Sequence, residues 1–392
     1  MVEVTNGASI TSKSPKRMLT DLRSVQSLGC RVRLTDERWY TDWQLGLHGI
    51  IYGYCPDWWD EALVKAVLLG PASSIAHQDE QVLADLLGGF YPDVEAVRFL
   101  ENGSDPCAAA VKLARAVTGR DSILVYGYHG TGSAYAAPPT PFDSDDNRLG
   151  TLRAEREAYV PLDWECLTQP AEIDWYEFFK INDSIAAVIV ECPPIDGGKV
   201  TARCWLNQLA DYAHDRGALF ILDEVVTGFR YGPSGAAGYY DLLGKVDLYC
   251  FGKTLGNGYP VAALAGKKAV MDWLAEAPVG GKVHWSGTWA GEPLGLAAAI
   301  ATLHRFEEQP PWEYMYELGE FLKERWNALD LPYKLAGHPT RPVMTGTYMY
   351  FDDLRRYLFK RGHIVCAHPW YATAAHSRHG VEELVGLAGE FS

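Results

Sequence analysis

Between residues 58 and 270 the chain alternates short apolar runs with longer segments of helical period. Val97–Leu100, Ser122–Tyr126, Ala186–Glu191, Ala218–Asp223, Asp247–Phe251 and Pro260–Gly266 are apolar almost throughout, the pattern of strands covered on both faces. Trp205–Arg216 sets Leu206, Leu209, Tyr212 and Ala213 on one helical face, and Gly217 supplies a C-terminal stop. Strand, amphipathic helix and strand at this spacing form a βαβ unit, which predicts a mostly parallel sheet flanked by helices. Beyond Gly291 come long helical stretches, short strands at Val343–Tyr350 and His363–Thr373, and a closing helix from Val381. The expected architecture is α/β. Residues 1–57 form an N-terminal arm and small-domain segment, 58–290 a large domain, and 291–392 a small C-terminal α+β domain. Within the arm, residues 1–35 are polar and rich in Ser, Thr and Lys, which predicts a loose segment or one packed on another subunit. The chain carries no internal repeat and no low-complexity segment.

A length of 392 residues suffices for one large core and a satellite. The net charge of −15, from 35 basic and 50 acidic side chains, repels phosphate backbones and anionic lipid, so neither nucleic acid nor membrane is expected as a partner. An anionic ligand then needs a local site. The eight cysteines show no CxxC spacing and several lie in apolar runs, which reads as buried reduced thiols in a cytoplasmic protein. No apolar leader or stretch of about 18 apolar residues suggests export or a membrane span.

Four segments carry candidate chemistry. Glu101-Asn102-Gly103-Ser104-Asp105-Pro106 precedes an alanine-rich helix that ends at Gly119. Ser104 or Asp105 can act as N-cap, Pro106 suits the first turn, and Gly103 lets the backbone approach a ligand. The free amides at such a helix start can cradle a phosphate, although many capped helices bind nothing. Tyr126-Gly127-Tyr128-His129-Gly130 follows a strand, where ligands of parallel sheets bind. Tyr128 either stacks on a flat ring or packs. Leu222-Asp223-Glu224 ends an apolar strand, and a carboxylate there needs a partner. A protonated ring nitrogen such as a pyridinium is one. A helix cap, a metal, or an ion pair with Arg230 are the others, and Glu191 at the preceding strand end raises the same question. Lys253 lies in the glycine-rich turn Gly252–Pro260. Partial desolvation there lowers a lysine pKa and frees its amine for imine formation, whereas an ordinary loop lysine is merely solvated.

These segments, in this order, resemble the class III aminotransferases that depend on pyridoxal phosphate. They are most similar to the branch containing glutamate-1-semialdehyde 2,1-aminomutase. The similarity runs from about Trp39 to the C-terminus. It is carried by Asn102–Asp105 with Ala108–Arg115, Tyr128–Gly130, Leu222–Arg230, Gly252-Lys253 with Gly256–Pro260, Ser286–Thr288 and Gly291–Pro293. The resemblance implies a fold type I transferase with pyridoxal 5′-phosphate as cofactor and pyridoxamine 5′-phosphate as intermediate. It implies that Lys253 holds the cofactor as a Schiff base and shuttles the proton, while Asp223 keeps the ring nitrogen protonated. Tyr128 and Val225 are implied to cover the two ring faces, Gly103 and Ser104 to bind phosphate, His129 to belong to the cofactor site, and Glu191 to support it near the ring hydroxyl. Thr288 is implied to reach the phosphate of a neighbouring subunit in a homodimer with shared sites.

Three departures surround the substrate rather than the cofactor. His368 stands where many aminomutases carry an acidic residue, Leu47 where they have tryptophan, and Pro138, Pro139 and Pro141 replace a glycine-rich gate. The leading expectation is therefore transfer of an amino group from an amino-acid donor to an aldehyde or ketone acceptor. The alternatives are 2,1-aminomutase chemistry, decarboxylation or epimerisation on the same scaffold, a silent binding protein, and a metal hydrolase. The silent protein has no use for Lys253, and the hydrolase lacks a ligand cluster of suitable spacing. The role of the Trp-rich entry from Trp39 to Trp59 is open, and Arg230 is expected to be structural.

Overall fold

The computed structural model describes residues 4, 8, 13–131, 150–162, 184–192, 199–275, 283–346, 350–365 and 370–391. The chain divides into two compact units, one formed by Trp58–Pro310 and one by Met1–Asp57 with Pro311–Ser392. The second unit opens with three short strands, β1 (Ser24–Leu28), β2 (Arg31–Leu34) and β3 (Trp39–Asp42), paired antiparallel in succession. Residues 24–34 are thus a hairpin of a sheet and not part of a loose arm. The reason is an alternation that the polar composition hides: Val32 and Leu34 point inward and pack with Tyr40 and Ile364.

The larger unit is built on β4 (Ala96–Leu100), β5 (Ser122–Tyr126), β6 (Tyr159–Pro161), β7 (Ile185–Glu191), β8 (Leu219–Asp223), β9 (Leu248–Phe251) and β10 (Ala262–Gly266). They form one sheet in the order β4-β10-β9-β8-β7-β5-β6. Neighbours from β9 to β6 pair parallel, and β10 runs antiparallel to both β4 and β9. All six apolar runs are strands, and β6 is an addition. The reversal at β10 follows from the short link after Phe251, which is too brief for a helical crossover. Four helices matter here: α1 (Asp79–Phe90), α2 (Ser104–Thr118), α3 (Lys199–Asp215) and α4 (Pro293–Glu308). On α3, Trp205, Leu206, Leu209, Ala210 and Ala213 are buried, and Gly217 follows with φ 68°. The α2 face packs with strand residues Ile123, Val125, Ala187, Ile189, Ile221, Cys250 and Leu264 in one core. Helix α4, which sequence alone assigns to the small domain, lies in the larger unit, where its Phe306 stacks on Phe229 at 5.5 Å.

The smaller unit continues with α5 (Trp312–Asn327), β11 (Tyr333–Ala336), β12 (Val343–Gly346), α6 (Phe351–Lys360), β13 (His363–Ile364) and α7 (Arg378–Phe391). Strand β13 pairs parallel with β3, and β11 pairs antiparallel with β12. The two expected late strands are real but short; residues 347–349 and 366–369 lie outside the described residues. Trp43, Trp326 and Trp370 fill the core of this unit, and the last two meet edge to face at 4.6 Å. Trp43 also stacks on His376 at 4.3 Å. In the larger unit Trp59 is buried and donates its indole N–H to the Ala298 carbonyl at 3.4 Å. Those two members of the Trp-rich entry are therefore packing residues.

No disulfide joins the described cysteines; Cys107, Cys192 and Cys250 are buried, but Cys55 and Cys204 are exposed, so burial does not extend to every thiol. No helix among the described residues is long and apolar enough to cross a membrane. Trp326→Ala should destabilise the protein by about 3–5 kcal/mol, because it empties a tryptophan-sized space in a closed core; chemical unfolding followed by near-ultraviolet circular dichroism measures it.

Candidate active site

The registers Tyr126↔Val190, Glu191↔Asp223 and Asp223↔Cys250 bring the ends of four adjacent parallel strands level. Glu191 and Asp223 are the last residues of β7 and β8, and the segments that leave β5, β8 and β9 carry Tyr128 and His129, Val225, and Lys253. This is the edge at which parallel α/β sheets bind ligands.

Asp223 is 2 % exposed. Its Oδ2 accepts from His129 Nδ1 at 2.7 Å and from the Cys107 thiol at 3.4 Å, and its Oδ1 accepts the Val225 N–H at 3.0 Å. His129 is 1 % exposed, and its Nε2 faces the Tyr126 carbonyl at 2.9 Å. Both partners of the imidazole are acceptors, so both ring nitrogens donate and the ring is a cation. Burial by itself would lower the His129 pKa. The hydrogen bond to Asp223, helped by Cys107, outweighs it and raises the value to about 10. Asp223 is thus paired with a histidine rather than with Arg230. Arg230, also buried, donates to Thr254 Oγ1 at 3.5 Å. Next to the pair lies Glu224, whose carboxyl accepts from Thr227 and from the amides of Ala236 and Ala237. Burial pushes its pKa up to about 7 against those hydrogen bonds.

Around this pair several loops converge. Helix α2 begins at Ser104, preceded by Gly103, and neither Ser104 nor Asp105 caps it. Asn102 does the local work instead: its side chain accepts the Ser104 N–H at 3.0 Å and donates to Asp105 Oδ2 at 2.7 Å, an Asx turn that competes with a cap. Ser104 Oγ accepts the Thr131 N–H at 3.1 Å and so ties α2 to the loop after β5. A side chain at Gly103 would meet Val225 Cγ1 at 2.6 Å, and one at Gly130, where φ is +104°, would strike Ser104. Gly252 lies against Gly103 and Val225 in turn. Lys253, half-buried, follows it with φ 45° in a 3₁₀ turn. A left-handed conformation costs a non-glycine residue roughly 1–2 kcal/mol, and such strain concentrates at functional positions.

The remaining expected residues are placed as follows. Tyr128 is half-exposed; its N–H donates to Glu191 Oε2 at 3.3 Å, and burial together with the nearby Cys107, Glu191 and Asp223 raises its phenol. Thr288 is exposed and lines a separate cavity of about 400 Å³ with Ile75, His77, Arg98 and Trp285; Lys253 and Asp223 are not among that cavity's lining residues. Leu47 belongs to the smaller unit. It sits in a left-handed turn in which Leu45, Gly46, Leu47 and His48 have φ of 40°, 65°, 57° and 75°. Asp42 holds that turn, accepting the Gln44 N–H at 2.8 Å and the Tyr54 hydroxyl at 2.7 Å. His368, Pro138, Pro139 and Pro141 lie outside the described residues.

Cys107, His129 and Asp223 bring a sulfur, a nitrogen and an oxygen within 4.8 Å of one another, a grouping that the sequence did not reveal. Ligands of a tetrahedral zinc ion, each about 2.0–2.3 Å from the metal, stand roughly 3.3–3.7 Å apart. The 2.7 Å between Nδ1 and Oδ2 is a hydrogen bond. Pyridoxal phosphate, by contrast, asks for a carboxylate, an amine, a flat apolar wall and phosphate donors. Asp223, Lys253, Val225 and the start of α2 with Ser104 are the residues that would hold it.

A family model, aminotransferase class-III, matches residues 12–339. The chain belongs to the class-III aminotransferases. Within this family, glutamate-1-semialdehyde 2,1-aminomutase of Halorubrum lacusprofundi is 32% identical over 297 residues, covering 73% of this chain and 63% of that protein. The aminomutase 1 of Staphylococcus carnosus is 34% identical over 315 residues, covering 76% and 68%. The match to the first thus spans less than two thirds of its length. A glutamate-1-semialdehyde aminomutase of Pseudomonas aeruginosa PAO1 superposes with a TM-score of 0.83 at 20% identity over 99% of this chain and 91% of its own. A transaminase with PLP bound gives 0.83 at 22% identity over 98% and 93%. At these identities the likeness is one of fold, and it agrees with the class-III aminotransferase architecture.

The raised His129 pKa makes a signed prediction. A group protonated more readily when folded adds stability below its unfolded pKa, near 6.5, and loses it as pH rises through the folded value. The stability advantage of the wild type over His129→Gln should be full below about pH 6.5 and fade toward pH 10; urea midpoints at pH 6, 8 and 10 test this, and a constant difference would refute it.

Proposed function

We propose that this class-III family member is a pyridoxal-phosphate enzyme that moves an amino group from an amino-acid donor to an aldehyde or ketone acceptor. One observation carries the reading. Buried Asp223, held by His129, ends the strand beside the one that delivers Lys253 in a left-handed turn. When bound, the cofactor supplies an electron sink for charge that develops at the amine-bearing carbon.

The chain's own residues do the rest. Asp223 accepts the ring N–H, and the imidazolium of His129 keeps the carboxylate charged while burial excludes water. Lys253 Nζ would hold the cofactor and, once displaced by the donor's amine, would carry the proton from the donor's amine-bearing carbon to the cofactor carbon that receives the nitrogen. Val225 and Tyr128 cover the two faces of the ring. The start of α2, with Gly103 and Ser104, takes the phosphate, where backbone N–H groups and the helix dipole favour an anion. Glu191 fixes the Tyr128 backbone near the ring hydroxyl. In a homodimer, Thr288 of one copy serves the phosphate site of the other.

A second reading, intramolecular 2,1-aminomutase chemistry, is favoured by the names of the relatives at 32% and 34% identity. Decarboxylation or epimerisation on the same scaffold has no observation of its own in favour.

Lys253→Ala should remove the near-ultraviolet to violet band of the bound cofactor and lower turnover by at least about 100-fold, the scale of a positioned acid–base group. Unchanged turnover would end the proposal. Glutamate added alone should convert the cofactor to its amine form and release 2-oxoglutarate if transfer is intermolecular. No spectral change with glutamate or any other common donor, but isomerisation of an amino aldehyde without a donor, would select the aminomutase reading.

A further inference from the structure

The buried face of α2 is almost inert. Its seven buried residues are Pro106, Cys107, Ala109, Ala110, Val111, Leu113 and Ala114, and Cys107 alone has a side chain able to donate a hydrogen bond. That one donor, 0 % exposed, is aimed at the Asp223 Oδ2 that also receives His129.

We infer that Cys107 is a positioning residue: its S–H saturates Asp223 Oδ2, so that Oδ1 is the oxygen left to meet the cofactor's ring nitrogen. The inference rests on the pyridoxal-phosphate reading above. Counting acceptor sites supports it. A carboxylate offers about four lone-pair sites, two on each oxygen. His129 and Cys107 occupy both on Oδ2, and the Val225 N–H occupies one on Oδ1. A single site is left, on Oδ1. Without the thiol, Oδ2 regains a site, and a ring N–H is free to divide itself between two oxygens. Burial raises the thiol's own pKa well above the ordinary range, which keeps it an S–H donor rather than a thiolate.

The competing role for Cys107 is simple packing, since the same atom belongs to the core between α2 and the sheet. Three substitutions separate the two. Cys107→Ser keeps a donor and loses volume. Cys107→Val keeps an apolar group of similar bulk and loses the donor, and Cys107→Ala loses both. Holoenzyme of each is compared with wild type by pH titration of the cofactor absorption band and by the rate of cofactor loss on dialysis, with near-ultraviolet circular dichroism to check folding.

Positioning predicts that Val and Ala shift the midpoint of the band by about half a pH unit or more and speed cofactor loss about fivefold, the scale of one lost hydrogen bond, while Ser stays within about twofold. The reverse order, with Val like wild type and Ser impaired, or three variants all like wild type, overturns the inference. Should Ala fail to fold, the Ser and Val pair still decides. A wild type that takes up no pyridoxal phosphate brings down the function and the inference together; a wild type with normal uptake and unresponsive Cys107 variants brings down the inference alone.

Discussion

The interaction on which the site depends is the hydrogen-bonded ion pair between Asp223 and His129, sealed at the end of β8. An unpaired carboxylate in that position would be costly to bury. The pairing makes burial tolerable and also fixes the charge of both partners, because each ring nitrogen of His129 faces an acceptor. The neighbouring features take their places from this arrangement. The Val225 amide closes on Oδ1, the loop after β5 must turn back through His129 to reach Oδ2, and Ser104 anchors that same loop through Thr131. Gly103 and Gly130 are where the loops come too close for any side chain.

The parallel sheet is what makes such a pairing available. Level strand ends allow β5, β7, β8 and β9 to deliver residues far apart in sequence to one edge. The reversal at β10 supplies the last ingredient. Because the link after β9 is short, the chain must turn at once, and the turn is the strained one that holds Lys253. A longer helical crossover would have left that lysine without a forced backbone conformation.

Much of this was legible in the amino-acid order. Continuous apolar runs marked the buried strands, and the positions of Asp223 and Lys253 at the ends of two of them marked the edge that matters. What was not legible depends on contacts across sequence. Cys107 reads as one more small residue in an alanine-rich helix, and only the fold brings it to a carboxylate more than a hundred residues away. His129 was visible as part of a motif, but its service to Asp223 was not; the clue was that a buried carboxylate wanted a protonated ring, and the chain itself provides one. The N-terminal hairpin was missed because its inward positions are few and its outward ones strongly polar. The cap of α2 was misassigned because Asn102 offers the backbone a competing turn.

The left-handed turn at Leu45–His48 sets three non-glycine residues, Leu45, Leu47 and His48, where L-amino acids are disfavoured, at roughly 1–2 kcal/mol each. Asp42 and Tyr54 hold it against that tendency. In evolutionary terms the turn is a reservoir of latent stability. Leu45 is buried and His48 stacks on Tyr371 at 3.9 Å, so Leu47 is the position at which glycine or asparagine relieves strain while leaving packing and backbone path intact, and it can absorb a destabilising change elsewhere in the smaller unit. Sequence drift at Leu47 is then as much a matter of how the chain tolerates mutation as of what it binds.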